Sequence, residues 1–299
     1  MHLFNKFRIH TGISLMGIFG VLSLTSLPSC SLFDKEEAIP SYIHIDTITV
    51  TSSLETQGFP SAKIIDAWVY VNGIFVGAFE LPTSIPVLDT GEAEVIVYAG
   101  IKENGISGVS MIYPFYNAYS TTQQLTAGET LNLSPNVVYK PAAGITFSLL
   151  ERFESSNAFE DNGTNVSLTT TTDPALVFEG NRSAFATMQD DIDTFRVVAS
   201  NPILFPGADK QMFLELDYRC DIPFNVWVKC NTNDQPIYDE VLTVTSKESW
   251  NKIYINLNPT LQFFSQYSPE SIQLEFRAIN PDTAVAQIFF DNIKIIQTK

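Results

Sequence analysis

Residues 65–77 read Ile-Asp-Ala-Trp-Val-Tyr-Val-Asn-Gly-Ile-Phe-Val-Gly, and this stretch sets the expected fold class. Apolar and polar residues alternate on both sides of Asn72-Gly73, which is typical of strands with one buried face. An Asn-Gly pair favours a type I′ turn, because both central residues of that turn need a positive φ. The stretch therefore predicts a β-hairpin that turns at Asn72 and Gly73.

Further strand patterns lie on both sides of this hairpin. A first strand, with a shift in parity that could be a bulge, is predicted by Ile43, Ile45, Ile48 and Val50. Residues 93–99 form a Val-rich segment after a turn signal at 89–91, and a turn at 128–129 separates two more short strands. Regular strands with turn signals between them predict a small antiparallel sandwich over residues 41–143.

The first sandwich also resembles a known type of module. The order Val-Asn-Gly-Ile-Phe-Val-Gly at 71–77, then Leu88 and Gly91, then a Val-rich strand, is similar to the PEGA and carboxypeptidase-regulatory type of Ig-like module. The resemblance implies a small Ig-like domain that serves as a spacer.

The composition is acidic and rich in strand-forming residues. The chain has 33 acidic and 17 basic residues, which gives a formal net charge of −16. Such a charge repels phosphate backbones, so nucleic acid is not expected as a partner. Charged residues make up only 17% of the chain and aromatic residues 12%, and this balance favours β-structure.

The N-terminal region predicts secretion. Lys6 and Arg8 precede an apolar run over residues 12–27 that is short for a membrane span, as in a signal peptide. Leu27-Pro28-Ser29-Cys30 resembles a bacterial lipobox, which implies cleavage after residue 29 and lipidation of Cys30. Several acyl chains would anchor the protein durably in a membrane. A plain cleaved signal with an incidental cysteine is the alternative.

Residues 30–40 are predicted to be an acidic tether. The cluster Asp34-Lys35-Glu36-Glu37 resembles the export signal of Bacteroidota surface lipoproteins. The resemblance implies a lipid anchor in the outer membrane and exposure at the cell surface. An ordinary solvated linker, with the protein on the periplasmic face, is the alternative.

Residues 144–299 resemble a galactose-binding-like jelly roll, the sandwich used by many carbohydrate-binding modules. The resemblance rests on four segments: Phe153-Glu154, Glu179-Gly180 with Ser183, Trp250 with Ile255 and Leu257, and Asp291-Asn292-Ile293. It implies an all-β protein of two β-sandwiches, with an Ig-like domain followed by a jelly roll. It says little about the ligand, because one fold hosts many functions.

A hairpin is predicted around residues 221–223. Met212–Arg219 and Phe224–Lys229 both alternate, and this turn places Trp227 opposite Asp217. In this register Cys230 lies opposite Leu214, so a direct bridge to Cys220 fails. Another strand pairing could still allow that disulfide.

The polar face of this sheet is the candidate ligand site. Alternation assigns five outward residues to it: Trp227, Tyr254, Asn225, Asp217 and Arg277. Aromatic planes cover the apolar face of a pyranose, and amide and charged groups pair with its hydroxyls. The alternative is a solvated face with cross-strand ion pairs.

A structural Ca²⁺ site is the second candidate. In related jelly rolls, carboxylates near the opening and closing strands hold this ion, and the resemblance maps them onto Glu154, Glu179 and Asp291. Carboxylate oxygens suit Ca²⁺. Solvated acidic residues at strand ends are the alternative.

Catalysis is not expected. The sequence has no Gly-rich phosphate loop, no nucleophile elbow and no Cys/His arrangement, and His44 is the only histidine after residue 29. A glycosidase-type carboxylate pair stays open, because 33 acidic residues always supply pairs. The sequence favours a non-catalytic lipoprotein that binds glycan.

A structural lipoprotein that docks onto another outer-membrane protein is the competing hypothesis. The aromatic cluster at residues 113–119 would be its docking patch, unless this cluster plugs the sandwich or packs on a neighbouring domain.

Overall fold

The hairpin predicted at Asn72 and Gly73 is present in the computed structural model, which describes residues 37–299. Strands Asp66–Val71 and Ile74–Glu80 pair antiparallel on either side of the turn. Asn72 and Gly73 have φ values of 49° and 77°. Glycine takes such a φ without steric penalty, and asparagine tolerates it better than most residues. The prediction is confirmed.

The predicted all-β fold is also confirmed for residues 37–299. The first ten strands are β1 Ser41–Ile45, β2 Thr49–Thr51, β3 Asp66–Val71, β4 Ile74–Glu80, β5 Thr83–Val87, β6 Gly91–Lys102, β7 Ser110–Ile112, β8 Tyr119–Leu125, β9 Thr130–Leu133 and β10 Asn136–Val138. The next twelve are β11 Ile145–Glu151, β12 Phe159–Asp161, β13 Thr169–Thr171, β14 Ser183–Met188, β15 Thr194–Ala199, β16 Ile203–Leu204, β17 Met212–Cys220, β18 Phe224–Thr232, β19 Ile237–Val244, β20 Lys247–Asn256, β21 Pro269–Ile279 and β22 Ala286–Thr298. Helical structure is limited to Leu54–Gln57, Asn258–Phe264 and the 3-10 turn Ser265–Tyr267.

The first ten strands form a sandwich around their own apolar core. One sheet has the order β4-β3-β6-β7, with β8 also on β6, and it faces the sheets β5-β1-β9 and β10-β2. The pairs β1–β9 and β2–β10 are parallel, so the expectation of a wholly antiparallel sandwich was wrong. Turn signals reveal only local hairpins, whereas parallel partners need a long connection. The shift in parity between Ile45 and Ile48 marks the break between β1 and β2.

The last twelve strands form a sandwich of two six-stranded sheets. We call β13-β14-β22-β17-β20, with β11 beside β22, the closed sheet. We call β12-β15-β21-β18-β19, with β16 beside β21, the open sheet. Their inner faces meet in one core, where the ring centre of Phe290 lies 5.1 Å from that of Phe224 and 4.7 Å from that of Phe276. Two sheets that bury one face each are the arrangement of a jelly-roll sandwich.

The predicted hairpin through residues 221–223 does not form. Strand β17 pairs with β20 and β22, whereas β18 pairs with β19 and β21 in the opposite sheet. Alternation shows which residues share a face but not which strand lies next to them, so Trp227 does not lie opposite Asp217. The same crossing separates Cys220 and Cys230, which are both buried and free.

The outer face of the closed sheet packs against the first sandwich. Phe213 and Tyr254 belong to the same buried cluster as Tyr113 and Phe115. The ring centre of Tyr113 lies 4.9 Å from that of Tyr254 and 5.6 Å from that of Phe213. The aromatic cluster at residues 113–119 therefore packs on the neighbouring sandwich and is not an exposed patch. Residues 40–299 form one compact unit, and the boundary expected at 143/144 falls between β10 and β11.

Three N-terminal predictions lie outside the described residues: the signal peptide over 1–29, the lipidated Cys30 and most of the tether over 30–40. None of the helices within residues 37–299 has the length and apolar character needed to cross a membrane.

Candidate functional site

The outer face of the open sheet carries aromatic, amide and charged side chains in register. Asn225 on β18 lies opposite Arg277 on β21. Trp227, two residues further, lies between Glu275 on β21 and Glu240 on β19. Alternation sends the intervening valines of β18 into the core, so these five side chains share one outer face. The site is thus built by three adjacent strands.

Two arginines lie over the aromatic rings of this face. The guanidinium carbon of Arg277 is 4.1 Å from the ring centre of Trp227 and 5.3 Å from that of Tyr238. The guanidinium carbon of Arg196, which lies on β15, is 5.7 Å from the ring centre of Tyr238. Cation–π contacts of this kind hold both partners in place. Tyr238 keeps 37% of its surface exposed, whereas Trp227 is half-buried.

Glu275 holds the two arginines together. Its buried carboxylate accepts a hydrogen bond from Nε of Arg277 at 2.6 Å and another from Nε of Arg196. Burial alone would raise the pKa of Glu275, but these hydrogen bonds and the two positive charges hold that pKa below its usual value. Each guanidinium has five N–H donors, so donors remain for a ligand after Glu275 is satisfied.

Amide groups extend the polar face towards β19. Nδ2 of Asn225 donates to Oε1 of Glu240 at 2.5 Å and to Oγ1 of Thr243 at 2.8 Å. On the other side of Trp227, Nζ of Lys229 donates to Oε1 of Gln273 at 3.3 Å. The face therefore offers rings, fixed cations and neutral hydrogen-bonding groups side by side, and this combination can bind a polyhydroxylated ring.

Two of the five predicted ligand contacts lie elsewhere, and their assignment was wrong. Asp217 and Tyr254 belong to the closed sheet and are buried beneath the first sandwich. Nδ2 of Asn292 donates to Asp217 at 3.1 Å, and the hydroxyl of Tyr254 accepts a hydrogen bond from the backbone N–H of Lys63 at 3.1 Å. The alternation of β17 and β20 was interpreted correctly, but a second sandwich covers their polar face.

This covered face holds a buried ion network. Nζ of Lys252 lies 2.9 Å from Oε2 of Glu215. The hydroxyl of Tyr113 donates to Glu215 at 2.7 Å, and the hydroxyl of Tyr139 donates to it at 2.9 Å. Nζ of Lys294 donates to the hydroxyl of Tyr139 at 3.2 Å. Each buried charge thus has a partner, as burial requires.

The network shifts the pKa values of its members. Burial would raise the pKa of Glu215, yet the charges of Lys252 and Lys294 bring it below its usual value. For Asp217 burial prevails over the charge of Lys252, so its pKa is raised. Burial also lowers the pKa of Lys294 to about 7, against the opposing effect of Glu215.

The three predicted calcium ligands have other partners. Both carboxylate oxygens of Glu179 accept hydrogen bonds from Arg152, at 2.6 and 3.0 Å. Glu154 accepts the backbone N–H of Asn181 at 2.8 Å. Oδ2 of Asp291 accepts the hydroxyl of Ser183 at 2.6 Å, and burial raises the pKa of Asp291 to about 8.

These contacts do not fit a metal site. Arg152 already supplies positive charge to Glu179, and the hydroxyl of Ser183 already donates to Asp291. Within residues 37–299 no three His, Cys, Asp or Glu side chains are grouped in a way that could hold a metal ion. The calcium site stays a prediction from resemblance, without supporting geometry.

Tyr238, Arg196 and Glu240 belong to the open face and were not among the predicted contacts. Alternation within residues 237–244 would have placed Tyr238 and Glu240 on one face. No sequence signal shows that β19 lies next to β18 at Trp227, because a bulge between Val226 and Trp227 sets that register. Arg196 joins this face because β15 pairs with β21. This pairing is also set by the tertiary structure and not by local sequence.

Comparison with known proteins gives no family. No family model and no curated protein matches the chain. Among solved structures, a mutant of the family 29 carbohydrate-binding module CBM29-2 complexed with mannohexaose has a TM-score of 0.35 and 10% identity, over 52% of this chain and 92% of that one. The family 11 module of Clostridium thermocellum in complex with a β-1,3-1,4-mixed-linked tetrasaccharide has a TM-score of 0.34 and 14% identity, over 52% and 96%.

A third similar structure is the CBM22-1–GH10 part of Clostridium thermocellum xylanase 10B with xylohexaose, at a TM-score of 0.35 and 13% identity. The match covers 50% of this chain and 28% of that one, so the chain spans far less than two thirds of its length. TM-scores this far below 0.5 carry no argument about this chain. The fold and the site therefore rest on the geometry described above.

Proposed function

We propose that this protein is a non-catalytic, lipid-anchored envelope protein that binds glycan on the outer face of its open sheet. The observation that carries the proposal is the cluster of Trp227, Tyr238, Arg277 and Asn225 on one face that the first sandwich does not cover. Tyr238 keeps 37% of its surface exposed, and an exposed aromatic ring can pack against a sugar's C–H groups. The guanidinium and amide groups beside it would pair with the hydroxyls.

The fixed geometry of the face supports binding rather than mere solvation. Glu275 holds both arginines, and Arg277 lies over Trp227. Side chains that are ordered before the ligand arrives lose less conformational entropy when it binds, and this raises affinity.

The proposed location rests on the lipobox resemblance at Cys30 and on the acidic cluster after it. The mature protein would be held in the outer membrane by acyl chains, with the sandwiches presented at the cell surface. A Cys30→Ala variant is expected to lose acyl label and to leave the membrane fraction. An unlabelled wild-type protein would contradict the anchor but not the glycan site.

A glycan array probed with the purified protein tests the proposed function. We expect specific binding that Trp227→Ala and Tyr238→Ala each reduce at least about tenfold, which is about 1.4 kcal/mol. Phe75→Ala is the matched control, because Phe75 is an aromatic residue with 48% exposure in the first sandwich. Binding that both open-face variants retain would refute the site, and silence across the array would refute the function.

The competing hypothesis, docking onto another outer-membrane protein, loses its sequence support. The patch at residues 113–119 packs against the closed sheet, with Tyr113, Phe115 and Tyr116 buried. A silent array together with a partner recovered from membranes would favour this alternative over glycan binding.

A further inference from the structure

A groove opens between the two sandwiches, next to the edge of the open sheet. It encloses about 560 Å³ and is lined by residues of both sandwiches, among them Lys63, Asn104, Lys247 and Asn251. The lining combines apolar side chains, among them Ile65, Leu242 and Ile253, with amide groups and hydroxyls beside the lysines. A groove of this size suits one or two sugar residues or another small ligand.

The groove carries two lysines although the chain as a whole is acidic. The net charge is −16, yet Lys63 and Lys247 both line the groove. Within residues 37–299 the lysines that form ion pairs are Lys102, Lys210 and Lys252, so Lys63 and Lys247 have no carboxylate within 4.0 Å. Two unpaired cations at one groove can attract an anionic group.

Lys63 is held in place and close to a second positive charge. Its Nζ donates to Oδ1 of Asn251 at 2.6 Å. Burial lowers the pKa of Lys63, and the positive charge of Lys247 lowers it further. Two like charges that interact lose part of their mutual repulsion when an anion lies between them. Glu80 also lines the groove, so its negative charge offsets part of the positive charge there.

The groove and the open face share one residue, Thr243. It lines the groove, and its hydroxyl oxygen accepts the hydrogen bond from Asn225 on the open face at 2.8 Å. A saccharide chain bound on the open face would pass Thr243 to enter the groove. A charged residue of the same chain would then meet the lysines.

We propose that this groove is a subsite for an anionic sugar residue, whose carboxylate or sulfate group lies between Lys63 and Lys247. This inference rests on the proposed glycan binding and names the class of glycan. A uronic acid and a sulfated sugar share the required chemistry, an anionic group on a hydroxylated ring.

The test is an array of matched glycans: uronic-acid oligosaccharides and their carboxyl-reduced forms, and sulfated oligosaccharides and their desulfated forms. We expect the purified protein to bind an anionic member at least about fivefold more tightly than its neutral form at 0.15 M salt, a ratio typical of a few exposed charge contacts. Comparing the uronic-acid pair with the sulfated pair shows whether the groove prefers a carboxylate or a sulfate group.

The variant Lys63→Gln with Lys247→Gln should remove that preference, so that the anionic and neutral forms bind equally. Lys140→Gln is the matched control, because Lys140 is exposed in the first sandwich and does not line the groove. Equal binding of charged and neutral forms by the wild-type protein would overturn the subsite. So would a preference that survives in the double variant.

The outcomes separate this inference from the proposed function. Neutral glycans that bind through Trp227, with no gain from an anionic residue, would leave the function standing and refute the subsite. Silence on every glycan would refute both. Capture of a carboxylate-rich peptide by the two lysines, without glycan binding, would also contradict the anionic-sugar assignment.

Discussion

The two outer faces of the second sandwich have similar residues and different roles. The closed sheet carries Glu215, Lys252 and Tyr254, and the open sheet carries Glu275, Arg277 and Trp227. On the closed face the glutamate accepts hydrogen bonds from buried tyrosine hydroxyls and pairs with a buried lysine. On the open face it pairs with two half-buried arginines.

The comparison teaches that a polar, aromatic strand face does not by itself identify a binding site. Period-two alternation produces the same pattern for a face that water covers and for one that another sandwich covers. The difference lies in the first sandwich, whose Tyr113 and Tyr139 satisfy the buried carboxylate of Glu215.

Removing the central carboxylate of the closed face should cause the largest loss of stability. Glu215→Ala leaves Lys252 without its closest partner and removes the acceptor of two tyrosine hydroxyls. We expect the free energy of unfolding to fall by about 3–5 kcal/mol, as for other broken buried ion pairs. Urea unfolding measures this change. Glu240→Ala on the open face is the control, with a change within about 1 kcal/mol.

Tyr254 and Trp227 were both predicted to contact the ligand, and their alanine variants should differ in stability and in binding. Tyr254→Ala empties a fully buried position between the sandwiches and should lower the free energy of unfolding by about 3 kcal/mol. Trp227→Ala removes a half-buried ring and one cation–π contact, so about 1 kcal/mol is expected. Thermal and urea unfolding give both values, and the glycan array gives the binding. Equal losses of stability would contradict the different burial of the two rings.

The titration of Lys294 should make the free energy of unfolding vary with pH. Its pKa is about 7 in the folded protein, whereas an unperturbed lysine, as in the unfolded chain, has a pKa of 10.5. Between these values the unfolded chain holds a proton that the folded protein has released, so this group makes stability rise with pH from about 7 to 10.5. Below pH 7 both states are protonated and the slope vanishes.

A Lys294→Met variant should abolish this rise, because no group titrates at that position. Urea unfolding at several pH values between about 9 and 10 measures the slope for both proteins, above the range in which Asp291, with a pKa of about 8, titrates. Lys140→Met, at an exposed position, should keep the wild-type slope. An unchanged slope in the Lys294 variant would show that another group is responsible.

The smallest effect concerns the two thiols, one in each sheet. Cys220 and Cys230 are buried and free, and burial raises the pKa of Cys220 to about 11. Because the thiolate is the reactive form, the native protein should react slowly with a thiol reagent and the unfolded protein at once. In the Cys30→Ala variant, which keeps only these two cysteines, two thiols titrated after unfolding without reductant would confirm that no bridge links them. No free thiol would contradict the separation of the two strands.

Local sequence patterns were sufficient to predict the local features of this protein. Asn72-Gly73 predicted its hairpin because only a few residue types accept a positive φ at both turn positions. Alternation in β17, β18, β20 and β21 identified the inward and outward residues, because a strand turns each successive side chain to the opposite face. The all-β fold followed from many such segments.

The choice of neighbouring strands and of covered faces depends on how the whole chain packs. The chain crosses from β17 in the closed sheet to β18 in the open sheet, so Asp217 and Trp227 lie on different sheets. Pairing partners are selected by the packing of the whole core and not by local sequence. The first sandwich covers Tyr254 and leaves Tyr238 exposed, because its buried aromatic residues Tyr113 and Phe115 pack against the closed sheet.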